Sequence, residues 1–508
     1  MSMARTDESI VAPVSIGVSG EDLGVGVRCG KLSVWAKSIY GTGEMVNGIT
    51  TTALTSLAFF YLTAVCGLSG TRAGMITFIT LLFDSIADPL IGLVSDNTRS
   101  RLGRRHPYIF ASIVPLAISF ALIFSIPAAF SGVQLFVYVT LLMLVVRVCL
   151  SLFYLPYLAI GAEISDDYHE RSRIVGYRLL FSAIAAFACL YLGLGGLSAN
   201  PAALLQRSNY LRFGWVAAAG VIVVGFAAAF GTMPQIARLH PVRQRAGRPI
   251  AQLIRELREI FHNRSFVSLF LTCLIFFVAQ GTAAVLALDA NRYFWDLPVA
   301  VNQAVLLTLV LSPVFGLPIA LWLQNRMEKR TLSIVGALIF CICQFYPPML
   351  RISGLLPDNF KYLGTLLVLN AAISAIGLVV SAIAFQSMMA DAADHHEYLF
   401  GVRREAIFFS GVTFSVKAAS GLGSLIAGIA LDAIRFPADV ASRGLNPHLS
   451  TGTVHGLGWI SGPLPAAITA LCVLPLLIYP LDRETYRVIK QALGERRNSG
   501  LGLERGAH

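Results

Sequence analysis

Asp84 and Asp88 stand in the run LLFDSIADPLIGLVSDNTRSRLGRRHP, residues 81–107. Four positions apart, they share one face of a helix. The residues around them are apolar enough to lie in a bilayer, where a charged side chain faces a cavity or a partner rather than lipid. Two carboxylates in that setting offer two kinds of chemistry. Their oxygens can replace the lost hydration of a small cation, or one of them can bind a proton if burial favours its neutral form. A structural salt bridge would use the same residues without moving anything.

The elements that position this pair must be membrane helices. The chain has 508 residues, 56% of them hydrophobic and 13% charged, about half the charged share of soluble domains. Mean hydropathy is +0.70, and a soluble protein this apolar would have too little polar surface to meet water. The net charge of +11 does not indicate a nucleic-acid partner, because the basic residues cluster in short loops between apolar segments. The eight cysteines (29, 66, 149, 189, 273, 341, 343 and 472) form no C-x-x-C pair or disulfide framework and read as small apolar packing residues. The first 30 residues are polar and Gly-rich, without a signal-peptide pattern.

Twelve apolar stretches are long enough to span, at roughly 20 residues each: 40–66, 73–96, 107–130, 133–162, 174–197, 212–233, 265–288, 300–324, 331–350, 361–390, 405–434 and 460–481. An even number puts both termini on one side. Of the 39 Lys and Arg residues, 28 fall in the two tails and the even-numbered loops, which places the termini in the cytoplasm. The expected organisation is a tail at 1–39, a six-helix bundle at 40–233, a basic linker at 234–264, a second bundle at 265–481 and a tail at 482–508. Within the linker, PIAQLIRELREIFHN has helical apolar spacing that suits a membrane surface.

A shift of 228 residues lays AEISDDYHERSR (162–173) on ADAADHHEYLFG (390–401), matching Glu163 to Asp391 and Asp166 to Asp394. In the same register Phe181–Ser182 meets Phe409–Ser410, and Gly193–Leu194–Gly195 meets Gly421–Leu422–Gly423. A parallel six-plus-six repeat is the plan of major facilitator transporters, which bind substrate between the halves. The fold expected is therefore all-α, polytopic, with twelve transmembrane helices in two six-helix pseudo-repeats.

The end of the second span, with Gly92, Asp96, Arg101, Gly103, Arg104 and Arg105, resembles the cytoplasmic loop motif of the major facilitator superfamily. The fuller string D-x-x-x-D-P-x-x-G-x-x-x-D resembles the glycoside–pentoside–hexuronide:cation symporter family, the group that contains melibiose permease. KLSVWAKSIYGTGEMVNG (31–48), LPYLAIGAEISDDYHERSRIVGYR (155–178) and ADAADHHEYLFGVRREAIFFS (390–410) are similar to three further segments of that family. The last departs from its pattern at Tyr398 and Phe400.

The resemblance implies that Asp84 and Asp88 hold the coupling Na⁺, Li⁺ or H⁺. It also implies that Lys417, in SGVTFSVKAASGLGS, lies beside them and offsets their charge when no cation is bound. Glu44 falls at an acidic family position in the first span, and Arg178 matches an arginine near the sugar pocket, where a cytoplasmic gate role is equally open. Tyr154 stands where several sodium-coupled members have an aspartate, and Leu158 where a tryptophan stacks on sugar. These departures weigh against a galactoside pocket and toward proton coupling, with Ser151 as a remaining polar group, and Glu44, Ser151, Tyr154 and Arg178 are the residues expected to bind solute. Arg147, in the fourth span, has no matched position.

Asp96, Arg101, Arg104, Arg105, Glu163, Asp166, Asp391, Asp394 and Glu397 are expected to form paired contacts at a cytoplasmic gate. His395 and His396 are expected on a cytoplasmic loop, without metal-binding spacing. No Walker loop, nucleophile elbow or cysteine metal set is present in the sequence. The function expected is cation-coupled symport (H⁺ or Na⁺) of a sugar or glycoside-like solute by a monomer of a bacterial inner membrane, with no cofactor and no enzymatic activity. An amphiphile such as a lysolipid is the alternative cargo, and a non-transporting receptor on the same fold the alternative class.

Overall fold

A computed structural model describes residues 32–98, 100–164, 167–196, 204–234, 258–357, 360–401, 405–438, 440 and 449–505. The expected linker helix lies largely outside these residues, as does Asp166.

The first half of the chain forms α1 (Val34–Ser56), α2 (Gly70–Asn97), α3 (His106–Ile123), α4 (Gly132–Glu163), α5 (Tyr168–Tyr191) and α6 (Arg207–Thr232). The second forms α7 (Arg264–Asp289), α8 (Val299–Gln324), α9 (Lys329–Ile352), α10 (Leu363–Phe400) and α11 (Glu405–Ala433). A twelfth span, α12, follows, Thr451–Leu477, and then α13 (Arg483–Arg505). Among the described residues eleven helices are long and apolar enough to cross a membrane, and α1 with its continuation makes a twelfth. All backbone polar groups of a helix are satisfied internally, the condition for crossing hydrocarbon.

The helix ends correct the expected spans in several places. α1 starts at Val34, where the Ser33 side chain accepts from the Ala36 amide at 3.1 Å, inside the expected tail. It breaks at Leu57, and the following piece, Ala58–Val65, is bent by 43°. The twelfth span begins at Thr451 behind a Ser450 cap and is interrupted at Gly462 and Cys472. The helix α10 runs ten residues past the expected boundary, so Asp391, Asp394, His395, His396 and Glu397 lie on a helix and not on a loop. It stops at Gly401, whose φ of +72° suits a residue without Cβ. Within the expected tail, α13 is a helix, docked by the Tyr486 hydroxyl donating to Asp394 Oδ2 at 2.9 Å.

The chain folds back and forth between two faces. One, the terminal face, carries the start of α1 and the helix α13; the other is the far face. Aromatic packing fills each half. Tyr61, Phe124, Tyr210 and Phe213 meet between α1, α3 and α6. Phe276, Phe340 and Phe385 meet between α7, α9 and α10.

The closest approach between the halves is α2 against α11, on the far-face side. The Asp432 carboxylate of α11 accepts from the Gly70 and Thr71 amides at 2.8 Å each, occupying the N-terminus of α2. One turn further in, a Cβ on Gly74 would stand 2.5 Å from the Ser424 carbonyl oxygen, so the two backbones touch where small residues allow it. The Phe60 and Tyr293 rings stack at 6.3 Å and join α1 to the end of α7. Toward the terminal face, Gly92 of α2 and Gly176 of α5 have nothing within 4 Å of a Cβ position. The Asp432, Gly74 and Phe60–Tyr293 contacts join the halves at the far face.

Gly74→Val overpacks this seam, at about 1–3 kcal/mol. The purified variant is expected to melt at a lower temperature than the parent; equal melting would show that the α2–α11 contact yields.

Candidate cation and solute site

Asp84 lies fourteen residues from the start of α2, roughly 21 Å along the axis at 1.5 Å per residue. That places it near mid-membrane. Asp84 is 3% exposed. Asp88 follows one turn later on the same face, and Lys417 reaches across from the middle of α11. The Lys417 ammonium donates to Asp84 Oδ2 at 2.7 Å and also to Asp88 Oδ2. These ion pairs join the two halves.

From α4, Ser151 Oγ lies 2.9 Å from Asp84 Oδ1 and 2.6 Å from Asp88 Oδ1. Arg147, one turn earlier on α4, is buried with its Nη1 4.0 Å from Asp84 Oδ2. Two carboxylates thus face two cationic side chains, and the cluster is neutral as it stands. Arg147 went unassigned in the sequence reading. The signal was present: an arginine inside an apolar helix, four residues before Ser151, shares the face that Ser151 presents.

A second polar cluster lies within the first half, between α1, α4 and α5. Arg178 Nε donates to Glu44 Oε2 at 2.7 Å. The Tyr154 hydroxyl donates to Glu44 Oε1 at 3.0 Å and accepts from Arg178 Nη2 at 3.4 Å. Asn47 Nδ2 also donates to Glu44 Oε1, at 3.3 Å. Beneath them Tyr40 and Tyr157 stack at 4.6 Å, and the Arg178 guanidinium lies 5.9 Å over the Tyr157 ring. Tyr154, at the position of the lost aspartate, is bound to Glu44 and not to Asp84 or Asp88. Asn47 was not foreseen; its place on the Glu44 face of α1 is the signal.

The residues expected at a cytoplasmic gate divide between the halves. Arg104 and Arg105 both donate to Glu163 Oε1 at the end of α4, Arg105 at 2.8 Å. Lys329 at the start of α9 donates to both Asp391 oxygens, at 2.8 and 2.6 Å. Glu163 and Asp391 are the pair matched by the 228-residue repeat, and each takes its basic partner from the turn before the third helix of its half. These contacts, like Tyr486–Asp394, each lie within one half. Arg101 is exposed, Glu397 sits on α10 near Gly401, and the Asp96 side chain lies outside the described residues. Nearby, Lys37 of α1 donates to Glu170 of α5 at 2.9 Å and holds its carboxyl below the usual range, helped by Arg173. Among the described residues no cluster of three or more His, Cys, Asp or Glu could hold a metal, and seven cysteines are unpaired by disulfides.

A bundle of twelve spans with charged pairs at mid-depth defines a membrane transporter. The chain belongs to the MFS/sugar transport protein family, whose sequence model matches residues 39–483. It is 26% identical to the sodium-dependent lysophosphatidylcholine symporter 1 of Mus musculus over 91% of this chain and 88% of that one. It is 22% identical to the glucuronide carrier protein homolog of Escherichia coli, over 90% and 95%. A crystal structure of a mutant of the nucleoside transporter NupG overlays with a TM-score of 0.60 at 12% identity, covering 88% of this chain and 99% of that one, which shows the fold. The resemblance to glycoside–pentoside–hexuronide:cation symporters holds, and the protein is a cation-coupled major facilitator symporter, not an enzyme.

Two predictions follow from the clusters. Lys417→Met leaves Asp84 and Asp88 facing Arg147 only. Breaking a buried pair costs about 3–5 kcal/mol, and Lys417, 26% exposed at its side chain, belongs at the low end. The variant is expected to melt lower than the parent in sodium-free neutral buffer and to recover with Na⁺, Li⁺ or acid. No recovery would show that nothing replaces the ammonium. For Glu170 the folded carboxyl titrates below the unfolded one, so its contribution is present above the ordinary glutamate value and lost as pH falls through the lower, folded value. Glu170→Gln is expected to flatten that acid limb in a melting-versus-pH series; an unchanged limb would assign the loss elsewhere.

Proposed function

We propose that Asp84 and Asp88 are the coupling-cation site and that the arriving cation displaces Lys417. The observation that carries this reading is the Lys417 ammonium shared by both carboxylates across the halves. A cation that takes its place keeps the carboxylates balanced and frees α11 from α2, which lets the halves rock. Without cation, the lysine locks the empty carrier in one arrangement and limits leak.

The donor set favours a proton over Na⁺. Tyr154 supplies no carboxylate oxygen here. With the termini in the cytoplasm, as the basic loops imply, the joined far face is the outer one, and the membrane is a bacterial inner membrane. Both carboxylates and the lysine come from one chain, so a monomer suffices. Arg104, Arg105 and Lys329 brace each half as a rigid body.

The solute site lies in the cleft beside Glu44, Asn47, Tyr154 and Arg178, whose donors and acceptors suit a hydroxylated, glycoside-like solute. One observation favours a second reading, an amphiphile. A cavity of about 250 Å³ in the second half is lined by Ala283, Ala287, Leu309, Phe340 and Leu378, with Gln280 and Asn291 at its wall. Its apolar wall offers a surface for an alkyl tail, beside polar side chains that include Gln344 and Asn370. The lysophosphatidylcholine symporter relative is consistent with that option, and the glucuronide carrier homolog with the first.

Asp88→Asn is expected to reduce gradient-driven accumulation in proteoliposomes at least tenfold while the protein still inserts and melts cooperatively. Retained accumulation would overturn the coupling assignment. In the parent, melting shifts from glycosides and hexuronides but not lysolipids support the first solute class, and the reverse pattern supports the second.

A further inference from the structure

A buried carboxyl outside both clusters remains unexplained by this machinery. Asp289, the last residue of α7 before the wide turn Ala290–Phe294, is 0% exposed, and neither of its oxygens has a hydrogen-bond partner. No ion pair reaches it among the described residues. It lies at the seam between the halves. Tyr293 of its own segment stacks on Phe60 of the first half. Tyr210 of α6 faces the same region and packs against Tyr61 at 4.4 Å between ring centroids. The Tyr210 and Tyr293 hydroxyls are themselves buried without partners.

The other titratable groups of this end do not neutralise Asp289. Arg292 on its own segment pairs with Asp296 at 3.4 Å. Arg207, at the start of α6, makes no ion pair with Asp289. Cys66 lies beside Tyr61. From α11, Asp432 is committed to the Gly70 and Thr71 amides. His455, on the first piece of the twelfth span, makes no contact with Asp289.

An ionised carboxylate taken from water without a partner costs several kcal/mol or more, far beyond the neutral acid. Sealing the far face therefore selects the protonated form. Opening that face parts α1 and α6 from α7, admits water, and makes the ionised form the stable one. We propose that Asp289 is a proton-binding site of the far-face seal, distinct from Asp84 and Asp88, that takes a proton from the far-face solution on closing and returns it on opening. The proposal rests on the alternating-access reading. Its balance is one proton exchanged with solvent at one carboxyl, with no bond made or broken elsewhere. Acid on the far side would then hold that face shut, and alkali would release it.

The test is hydrogen exchange followed by mass spectrometry on the full-length protein in lipid nanodiscs, over a pH series corrected for intrinsic exchange with an unstructured peptide. In the parent, protection of residues 57–66 and 286–297 is expected to fall with rising pH, by up to about tenfold per pH unit, the slope of a single proton. In Asp289→Asn, where the amide mimics the neutral acid, protection is expected to stay high throughout. Identical profiles in the two proteins, or a parent without pH dependence, overturn the proposal. Should the variant fail to fold, the infrared carbonyl band of a protonated carboxyl in the parent carrying carbon-13 aspartate decides. Its bleaching with the pH-dependent loss of protection supports the site, and a band that does not change as protection falls overturns it. A seam that responds to pH in a protein without solute transport would sink the symport reading and leave this site standing. Coupled transport with a pH-insensitive seam would do the opposite.

Discussion

Charge balance at mid-membrane is the constraint on which the rest of the structure depends. Asp84 and Asp88 cannot stand in an apolar helix without compensation, and the compensation comes from Arg147 beside them and from Lys417 across the cleft. Because Lys417 belongs to the other half, the electrostatics of the site and the arrangement of the halves are one equilibrium. Any cation that competes with the ammonium acts on both. A buried ion pair is a weak source of net stability, which suits a bond meant to be exchanged.

The surrounding fold suits the proposed exchange. The far-face seal is made of a carboxylate on two helix-end amides, glycines against backbone, and an aromatic stack. Within each half, Arg104 and Arg105 with Glu163, and Lys329 with Asp391, tie the terminal-face turns to their own bundle. Rigid halves and a yielding seam are what rocking about a central site requires. The Glu44–Arg178–Tyr154 cluster is confined to the first half, so it keeps its geometry whichever way the halves tilt.

The architecture was legible because the bilayer writes itself into hydropathy: spans, their number and the repeat all follow from segment length and register. The terminal reach of α10 was not, since Asp391 to Glu397 read as a polar boundary although the helix continues through them into a solvated end. Nor was the bend at Leu57, where no proline or glycine stands. At the site, Asp84, Asp88 and Lys417 stood out as charges in apolar sequence. Arg147 carried the same signal and was passed over for lack of a family counterpart. Asp289 falls one residue beyond the expected span 265–288, and the fold carries it into the seam. Tyr154 was expected with Glu44 and Arg178 and meets both, whereas Ser151, expected with them, bonds to Asp84 and Asp88.

The central claim is that solute movement and cation exchange at Asp84 and Asp88 are one event. The most direct test imposes an inward solute gradient on proteoliposomes with no ion gradient and records cation entry, by an internal pH dye and by radioactive sodium in parallel. The account predicts that solute flux drives uptake of one cation in a fixed ratio to solute. Solute that moves without any cation would contradict it.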